Sequence, residues 1–167
     1  MGLGSYWGEV IDVLQEIIPV YDKVNSYISL GKDSEHRSRA MKGKILNGDK
    51  ILDAGSGFGN MSKTALDTAN GEVEIMLYDP LLPMIKNTGR LFQKKPEATC
   101  GVYEHIPFKR QQFDVVLSGY SLRDAISLKT AISEIQRVLK DGGKWIIVDL
   151  GKPVSYTHLT LPTIYSV

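Results

Sequence analysis

Across residues 5–18 the apolar positions Tyr6, Val10, Val13, Leu14, Ile17 and Ile18 recur at helical spacing, and Pro19 closes the segment. A short second helix is predicted over 21–28, broken by Gly31. A third is predicted from an N-cap at Ser34 to about Leu46, closed by Asn47-Gly48. Beyond residue 48 the pattern changes: short, nearly continuous apolar runs alternate with longer amphipathic stretches. Strands are predicted at 50–54, 73–78, 98–102, 113–118 and 144–150, and helices at 59–69, 81–94 and 125–140. Asp141-Gly142-Gly143 reads as the turn into the fifth strand. Strands and helices alternating through short loops imply an α/β fold, with a doubly wound, mostly parallel sheet covered on both faces.

Three stretches emerge: a helical lid over 1–47, a core domain over 48–153, and a segment at 154–167 that stands apart. This last segment has no Asp, Glu, Lys or Arg, whereas the rest of the chain is densely charged. Its run V-S-Y-T-H-L-T-L-P-T resembles one reading frame of a transposase sequencing adapter, so the segment is expected to be non-native and is left out of the fold reasoning. The alternative is a genuine β-rich ending packed through Leu159, Leu161 and Ile164. If the core ends near Pro153, Trp145-Ile146-Ile147-Val148 would form an exposed apolar edge, which is an aggregation hazard.

Composition removes several function classes. The net charge of +1 over 167 residues gives no sign of a nucleic-acid backbone as partner. A single cysteine, Cys100, excludes a disulfide framework and suits a reducing cytoplasm. It reads as a small buried hydrophobe rather than a reactive thiol. No apolar run approaches the ~20 residues of a membrane span, and the first apolar stretch lacks the basic flank of a secretory signal.

The chemistry starts at Ile51-Leu52-Asp53-Ala54-Gly55-Ser56-Gly57-Phe58-Gly59, an apolar strand running into a loop with glycine at every second position. In a doubly wound domain this is where a nucleotide-type site opens. The spacing is G-x-G-x-G; a dinucleotide fingerprint would put its third glycine where Asn60 stands. Asp53 either braces this loop or meets a ligand ammonium, and the two roles are compatible. The second strand ends at Tyr78-Asp79-Pro80, where Asp79 is either a surface-turn acid or an acceptor for both hydroxyls of a ribose. His105 reads as a loop residue. No second His, Cys or acid stands near it at metal-ligand spacing, so no metal is expected.

The G-x-G-x-G run with Asp53 before it resembles motif I of the class I S-adenosylmethionine-dependent methyltransferases. Other stretches add to the likeness. Gly101-Val102-Tyr103-Glu104-His105-Ile106-Pro107-Phe108, then Phe113-Asp114, is similar to that class's G-D-A, L-P-F and F-D stretch. Ala131-Ile132-Ser133-Glu134-Ile135-Gln136-Arg137-Val138-Leu139-Lys140-Asp141-Gly142-Gly143 is similar to its A-x-x-E-x-x-R-V-L-K-P-G-G signature. A narrower resemblance is to the C-methyltransferases of ubiquinone and menaquinone biosynthesis. Tyr21-Asp22-x-x-Asn25-x-x-x-Ser29-x-Gly31 resembles that family's Y-D-x-x-N-x-x-x-S-x-G, Leu122-Arg123-Asp124 its I-R-N, and Asp149-x-Gly151-Lys152-Pro153 its E-F-S-x-P. The departures are Val102 for an Asp that touches the adenine, Asp124 for Asn and Asp141 for Pro. Losing the adenine hydrogen bond at Val102 costs about 0.5–1.5 kcal/mol.

The resemblance implies a Rossmann-like fold that lacks its carboxyl-terminal strands, since such folds add two strands beside the fifth, one of them antiparallel. It implies S-adenosylmethionine as cofactor, held by Asp53, Gly55, Ser56, Gly57, Gly59, Asp79, Pro80, Val102, Tyr103, Ser118 and Tyr120. The expected reaction is C-methylation of a demethylated quinone precursor. Arg123 would favour the acceptor phenolate, Asp124 or an ordered water would take its proton, and Tyr21 and Asn25 would close over it. Each has a plainer reading: a surface cation or ion pair with Asp124 for Arg123, a helix cap or lid packing for Asn25 and Tyr21. Methylation of another small molecule and cofactor binding without catalysis are the alternative functions; a nicotinamide oxidoreductase ranks last. The first helix, with Tyr6, Trp7, Ile11 and Leu14, would help collect a lipid-tailed quinone at the inner face of the membrane. Its acids Glu9, Asp12 and Glu16 argue against an anionic membrane and favour packing as a lid.

Overall fold

The computed structural model describes residue 20 and residues 32–88, 91–94, 96–149 and 164–166. The expected helices over 5–18 and 21–28, with Tyr21 and Asn25, lie outside the described residues. The chain forms α1 (Asp33–Met41), β1 (Lys50–Ala54), α2 (Asn60–Thr68), β2 (Glu74–Asp79), α3 (Leu82–Asn87), β3 (Glu97–Cys100), β4 (Phe113–Gly119), a 3₁₀ turn (Leu122–Asp124), α4 (Leu128–Val138), β5 (Leu139–Val148) and β6 (Ile164–Ser166). The strands make one sheet in the order β3-β2-β1-β4-β5-β6, with every pairing parallel. The strand order reverses between β1 and β4, and ligands of open α/β sheets bind in the crevice at such a point.

The apolar runs fill both faces by alternation. Leu52, Val116 and Trp145 join α4's Ala131, Ile135 and Val138 in one core layer. Ile51, Val115, Leu117 and Ile146 join Ala40 and Met41 of α1 and Met61 and Ala65 of α2 in the other. A strand buried on both faces needs apolar residues at consecutive positions, which the sequence supplies.

Several boundaries differ from expectation. The helix predicted over 34–46 runs from Asp33 to Met41, capped by Lys32 without a side-chain bond, and a left-handed Gly43 (φ 69°) turns the chain away soon after Met41. The helix predicted over 81–94 is a helix only from Leu82 to Asn87; the Thr88 hydroxyl donates to the Ile85 carbonyl, a local bond that competes with helix continuation. α4 begins at Leu128 rather than 125, because Ser127 caps it by accepting from the Thr130 amide. β3 ends at Cys100 rather than 102, where the Tyr78 hydroxyl reaches the Val102 and His105 carbonyls. Asp141-Gly142-Gly143 lies inside β5 as a bulge. Register jumps from Phe113↔Leu139 to Val115↔Lys144, and Gly142 takes φ 76°.

Two packing expectations are corrected. Cys100 is exposed, because β3 is an edge strand whose residues are mostly uncovered. Trp145, Ile146 and Val148 are buried rather than exposed. Ile164–Ser166, within the segment set apart in the sequence, runs along β5 in parallel register from Trp145↔Ile164 to Ile147↔Ser166.

Candidate functional site

The carboxyl ends of β1, β2 and β4 meet at one cleft lined by Gly55, Tyr78, Asp79, Pro80, Leu81, Met84, Gly101, Val102, Tyr103, Ser121 and Asp124. The cleft is partly open to solvent and encloses about 50 Å³, so it is a shallow crevice rather than a deep chamber.

The glycine loop is pinned from below. The Gly55 and Ser56 amides both donate to the Tyr78 carbonyl, at 2.8 and 3.1 Å. Gly55 takes φ 68°, and a Cβ there would lie 2.3 Å from Ser121 Oγ, so only glycine fits. Asp79, 5% exposed, closes the loop's other side. One carboxylate oxygen accepts from the Gly57 amide and the other from the Leu81 amide, both at 2.7 Å. Burial pushes its carboxyl up to about 6 against the pull of those two amides. Two lone-pair sites remain for ligand hydroxyls.

Asp53 is fully buried and braces α2: Oδ2 accepts from the Ser62 amide at 3.0 Å and the Ser62 hydroxyl at 2.6 Å. Its other oxygen, Oδ1, is buried without a partner. Burial raises this carboxyl to about 6 as well, against those bonds from Ser62.

Tyr103 plays a part the sequence did not announce. Its phenol is a buried hub beside the Ala54 carbonyl (2.5 Å), Ser118 Oγ (3.1 Å) and Ser121 Oγ (2.8 Å). The phenol donates toward the Ala54 carbonyl and Ser118 Oγ, and the Ser121 hydroxyl, beside the phenol, also donates to the Ala54 carbonyl at 3.3 Å. Trp145 Nε1 donates to Ser118 Oγ at 3.1 Å and ends the chain. Burial holds the Tyr103 phenol well above its usual range.

The expected site residues therefore divide. Gly55, Asp79, Pro80, Val102, Tyr103 and Asp124 line the cleft. Gly57 reaches it through Asp79, and left-handed Gly59 caps α2. Ser56 is buried with its hydroxyl unpartnered. Ser118 is committed to the buried network, and the Tyr120 ring packs against the core layer of α1 and α2 instead of lining the cleft. Arg123 stands on the 3₁₀ turn, half exposed; its Nε donates to the Tyr120 carbonyl at 3.1 Å and a terminal nitrogen lies 3.5 Å from Asp149. The expected pair with Asp124 is thus replaced by one with Asp149. Partial burial raises the Asp124 carboxyl against the lowering effect of Arg123.

Sequence reasoning also treated Glu134 and Arg137 as recognition marks only. In the structure they clamp the loop behind the cleft. Glu134 accepts from the Ile106 amide at 2.9 Å, and Arg137 donates to the Phe108 and Ile106 carbonyls at 2.8 and 2.7 Å. The E-x-x-R spacing, which puts both side chains on one helix face, was the available signal. The metal expectation has no counterpart to test: among the described residues no group of His, Cys, Asp or Glu is arranged to hold an ion.

With this geometry in hand, comparison with known proteins is decisive. The sequence profile of the ubiE/COQ5 methyltransferase family matches residues 4–166. The chain belongs to the ubiE/COQ5 methyltransferase family. It is 29% identical over 153 residues to the demethylmenaquinone methyltransferase of Lactobacillus johnsonii, covering 88% of this chain and 63% of that protein. It is 31% identical over 153 residues to the ubiquinone/menaquinone biosynthesis C-methyltransferase UbiE of Cupriavidus pinatubonensis, covering 87% and 61%. The chain thus spans less than two thirds of the length of these relatives. Among solved structures, the S-adenosylmethionine-dependent methyltransferase from Mesorhizobium loti superposes with a TM-score of 0.57 at 19% identity, covering 66% of this chain and 50% of that one. At that identity the likeness shows the fold, which is the Rossmann-like α/β fold of the class I enzymes.

Membership of the ubiE/COQ5 family implies S-adenosylmethionine as cofactor, and the residues present fit it. Gly55 brings bare backbone to the cleft, Asp79 on its wall keeps two lone-pair sites beyond the Gly57 and Leu81 amides, and Asp53 Oδ1 behind the loop is buried without a partner. Among the described residues no helix is long and apolar enough to cross a membrane.

Proposed function

We propose that this chain carries the cofactor half of an S-adenosylmethionine-dependent C-methyltransferase acting on a demethylated quinone precursor. The observation that carries the reading is the placement of Arg123 and Asp124 together on the turn after β4, with Asp124 on the wall of the same cleft as Asp79 and Gly55. The family match and the names of the relatives supply the reaction class.

Asp79 would take the ribose hydroxyls, the Gly55–Gly59 loop would lie under the methionine arm, and Val102 and Tyr103 would flank the adenine. When bound, the cofactor supplies an electrophilic methyl group on sulfur. The work of the protein is on the acceptor. A phenol of pKa ~10 is mostly protonated at neutral pH, and its ring carbon is a weak nucleophile until that proton leaves. Arg123 is half exposed and carries a fixed positive charge that favours the phenolate. Asp124, with its carboxyl raised, is a better proton acceptor than an ordinary surface aspartate. Tyr21 and Asn25 would close over the acceptor from the preceding segment, and a lipid-tailed substrate would bring the protein to the inner face of the membrane.

The test is transfer of labelled methyl from S-adenosylmethionine to a demethylated quinol. Label in the quinol is expected; cofactor binding with no label transferred overturns the acceptor class. Arg123→Ala should lower turnover by about tenfold to a hundredfold while leaving cofactor affinity within about twofold. A large loss of cofactor affinity would contradict its assigned role.

A further inference from the structure

Asp149 has no part in the scheme above, yet it is the acid that Arg123 meets. It follows β5 directly. Val148, the last residue of β5, lies opposite Gly119 at the end of β4, and its carbonyl accepts from the Tyr120 amide at 2.8 Å. The end of β5 is thereby tied to the start of the turn that carries Arg123 and Asp124.

The Arg123 guanidinium is fixed at two points. Its Nε donates to the Tyr120 carbonyl at 3.1 Å, and Nη2 lies 3.5 Å from Asp149 Oδ1. A guanidinium is a planar fork with five N–H donors, so two anchors set its plane and leave donors over for an acceptor oxygen. The first anchor is only three residues back along the chain. The second comes from the end of the sheet, and it sets the direction in which the fork points.

The acid nearest in sequence is not the partner. Asp124 is adjacent to Arg123, but the ion pair goes across to Asp149, and Asp124 lines the cleft instead. A pair between Arg123 and Asp124 would spend the positive charge that the phenolate needs and occupy the carboxylate that is to take the proton. Partial burial raises the Asp124 carboxyl, Arg123 pulls it down, and Asp149 works against Arg123. An ion pair as exposed as the one between Arg123 and Asp149 contributes little to folding, so its weight falls on geometry. We infer that Asp149 is a positioning residue: it holds the Arg123 guanidinium away from Asp124, so that cation and proton acceptor meet the substrate as separate groups. The inference rests on the catalytic reading of that turn given above.

Steady-state methyl transfer from S-adenosylmethionine to a demethylated quinol by the full 167-residue chain tests this. Asp149→Asn keeps the size of the side chain and removes its charge. It should lower kcat about tenfold to a hundredfold, with calorimetric affinity for S-adenosylhomocysteine within about twofold and the urea midpoint unchanged. Asp149→Glu should restore most of the lost rate. In an Arg123→Ala background Asp149→Asn should cost less than about twofold, because the group it positions is gone. A kcat within about twofold of wild type in Asp149→Asn overturns the inference. So does an equal loss with and without Arg123, which is the mark of a general structural role. If Asp149→Asn does not fold, Asp149→Ser takes its place in the same cycle. A wild-type chain that binds S-adenosylhomocysteine but transfers no methyl overturns the acceptor reading and this inference together.

Discussion

The two ends of the site treat their polar groups in opposite ways. At the β2 end each side chain has a partner: Asp79 holds the Gly57 and Leu81 amides, and the Tyr78 hydroxyl serves the Val102 and His105 carbonyls. At the α1 end Arg37 Nε, the Tyr120 hydroxyl and Asp53 Oδ1 are all buried with nothing to bond. A paired group contributes to folding before any ligand arrives. An unpaired buried group costs folding stability, and the cost is recovered only when a ligand supplies the missing bond. The β2 end is therefore a preformed wall, and the α1 end carries an unrecovered folding cost.

The largest effect should come from the paired end. Asp79→Ala strands two buried amides and should lower the free energy of unfolding by about 2–4 kcal/mol, read by urea denaturation. A loss under about 0.5 kcal/mol would break the contrast, because the wall would then not depend on its pairing. Next is Gly55→Ala, whose Cβ meets Ser121 Oγ at 2.3 Å in a left-handed backbone. It should cost about 1–3 kcal/mol in a thermal melt, and removing the Ser121 side chain as well should recover only the steric part.

The smallest and most discriminating effect is in pH. Asp53 and Asp79 are both raised to about 6 by burial. In the unfolded chain both titrate near ~4, so between these values the native state holds more protons. Their contribution to stability is fully present below ~4 and is lost as pH rises through about 6. The ligand-free protein should thus lose stability from these groups between pH ~4 and ~6. Ligand binding reverses the sign at Asp53 alone, because an ammonium favours the carboxylate. Affinity for S-adenosylhomocysteine should fall as pH drops through about 6, and Asp53→Asn should flatten that dependence. A profile that Asp53→Asn leaves unchanged would remove Asp53 from the ammonium.

What the sequence disclosed follows the range of the interactions involved. β1 was legible to the residue, since a continuous apolar run ending in a glycine loop has few other ways to fold. The gathering of Gly55, Asp79, Val102 and Asp124 on one cleft was legible too, because each was read at or just past the carboxyl end of a strand, and a parallel sheet brings those ends together. The rest depends on partners distant in sequence. β3 stops where Tyr78 intervenes from β2. Cys100 was read as buried, but strand order leaves β3 at the edge, and nothing in its own residues says so. Tyr103 was read only as a cofactor-holding residue; its phenol matters through Ala54, Ser118 and Ser121, which come from other strands and turns. Arg37 went unremarked in the sequence, and only its burial with an unpartnered Nε sets it apart from the other charges of α1.

The clamp from α4 has a consequence for motion. Glu134 and Arg137 hold the Ile106 amide and the Ile106 and Phe108 carbonyls, while the Gln111 and Gln112 amides donate to the last carbonyls of the same helix. The loop behind the nucleoside end cannot swing outward while the final turn of α4 is wound. Helix fraying and opening of that wall become a single cooperative event, with the amide hydrogens of both segments exchanging with solvent together. Breathing of the cleft is governed by a helix that does not itself line it.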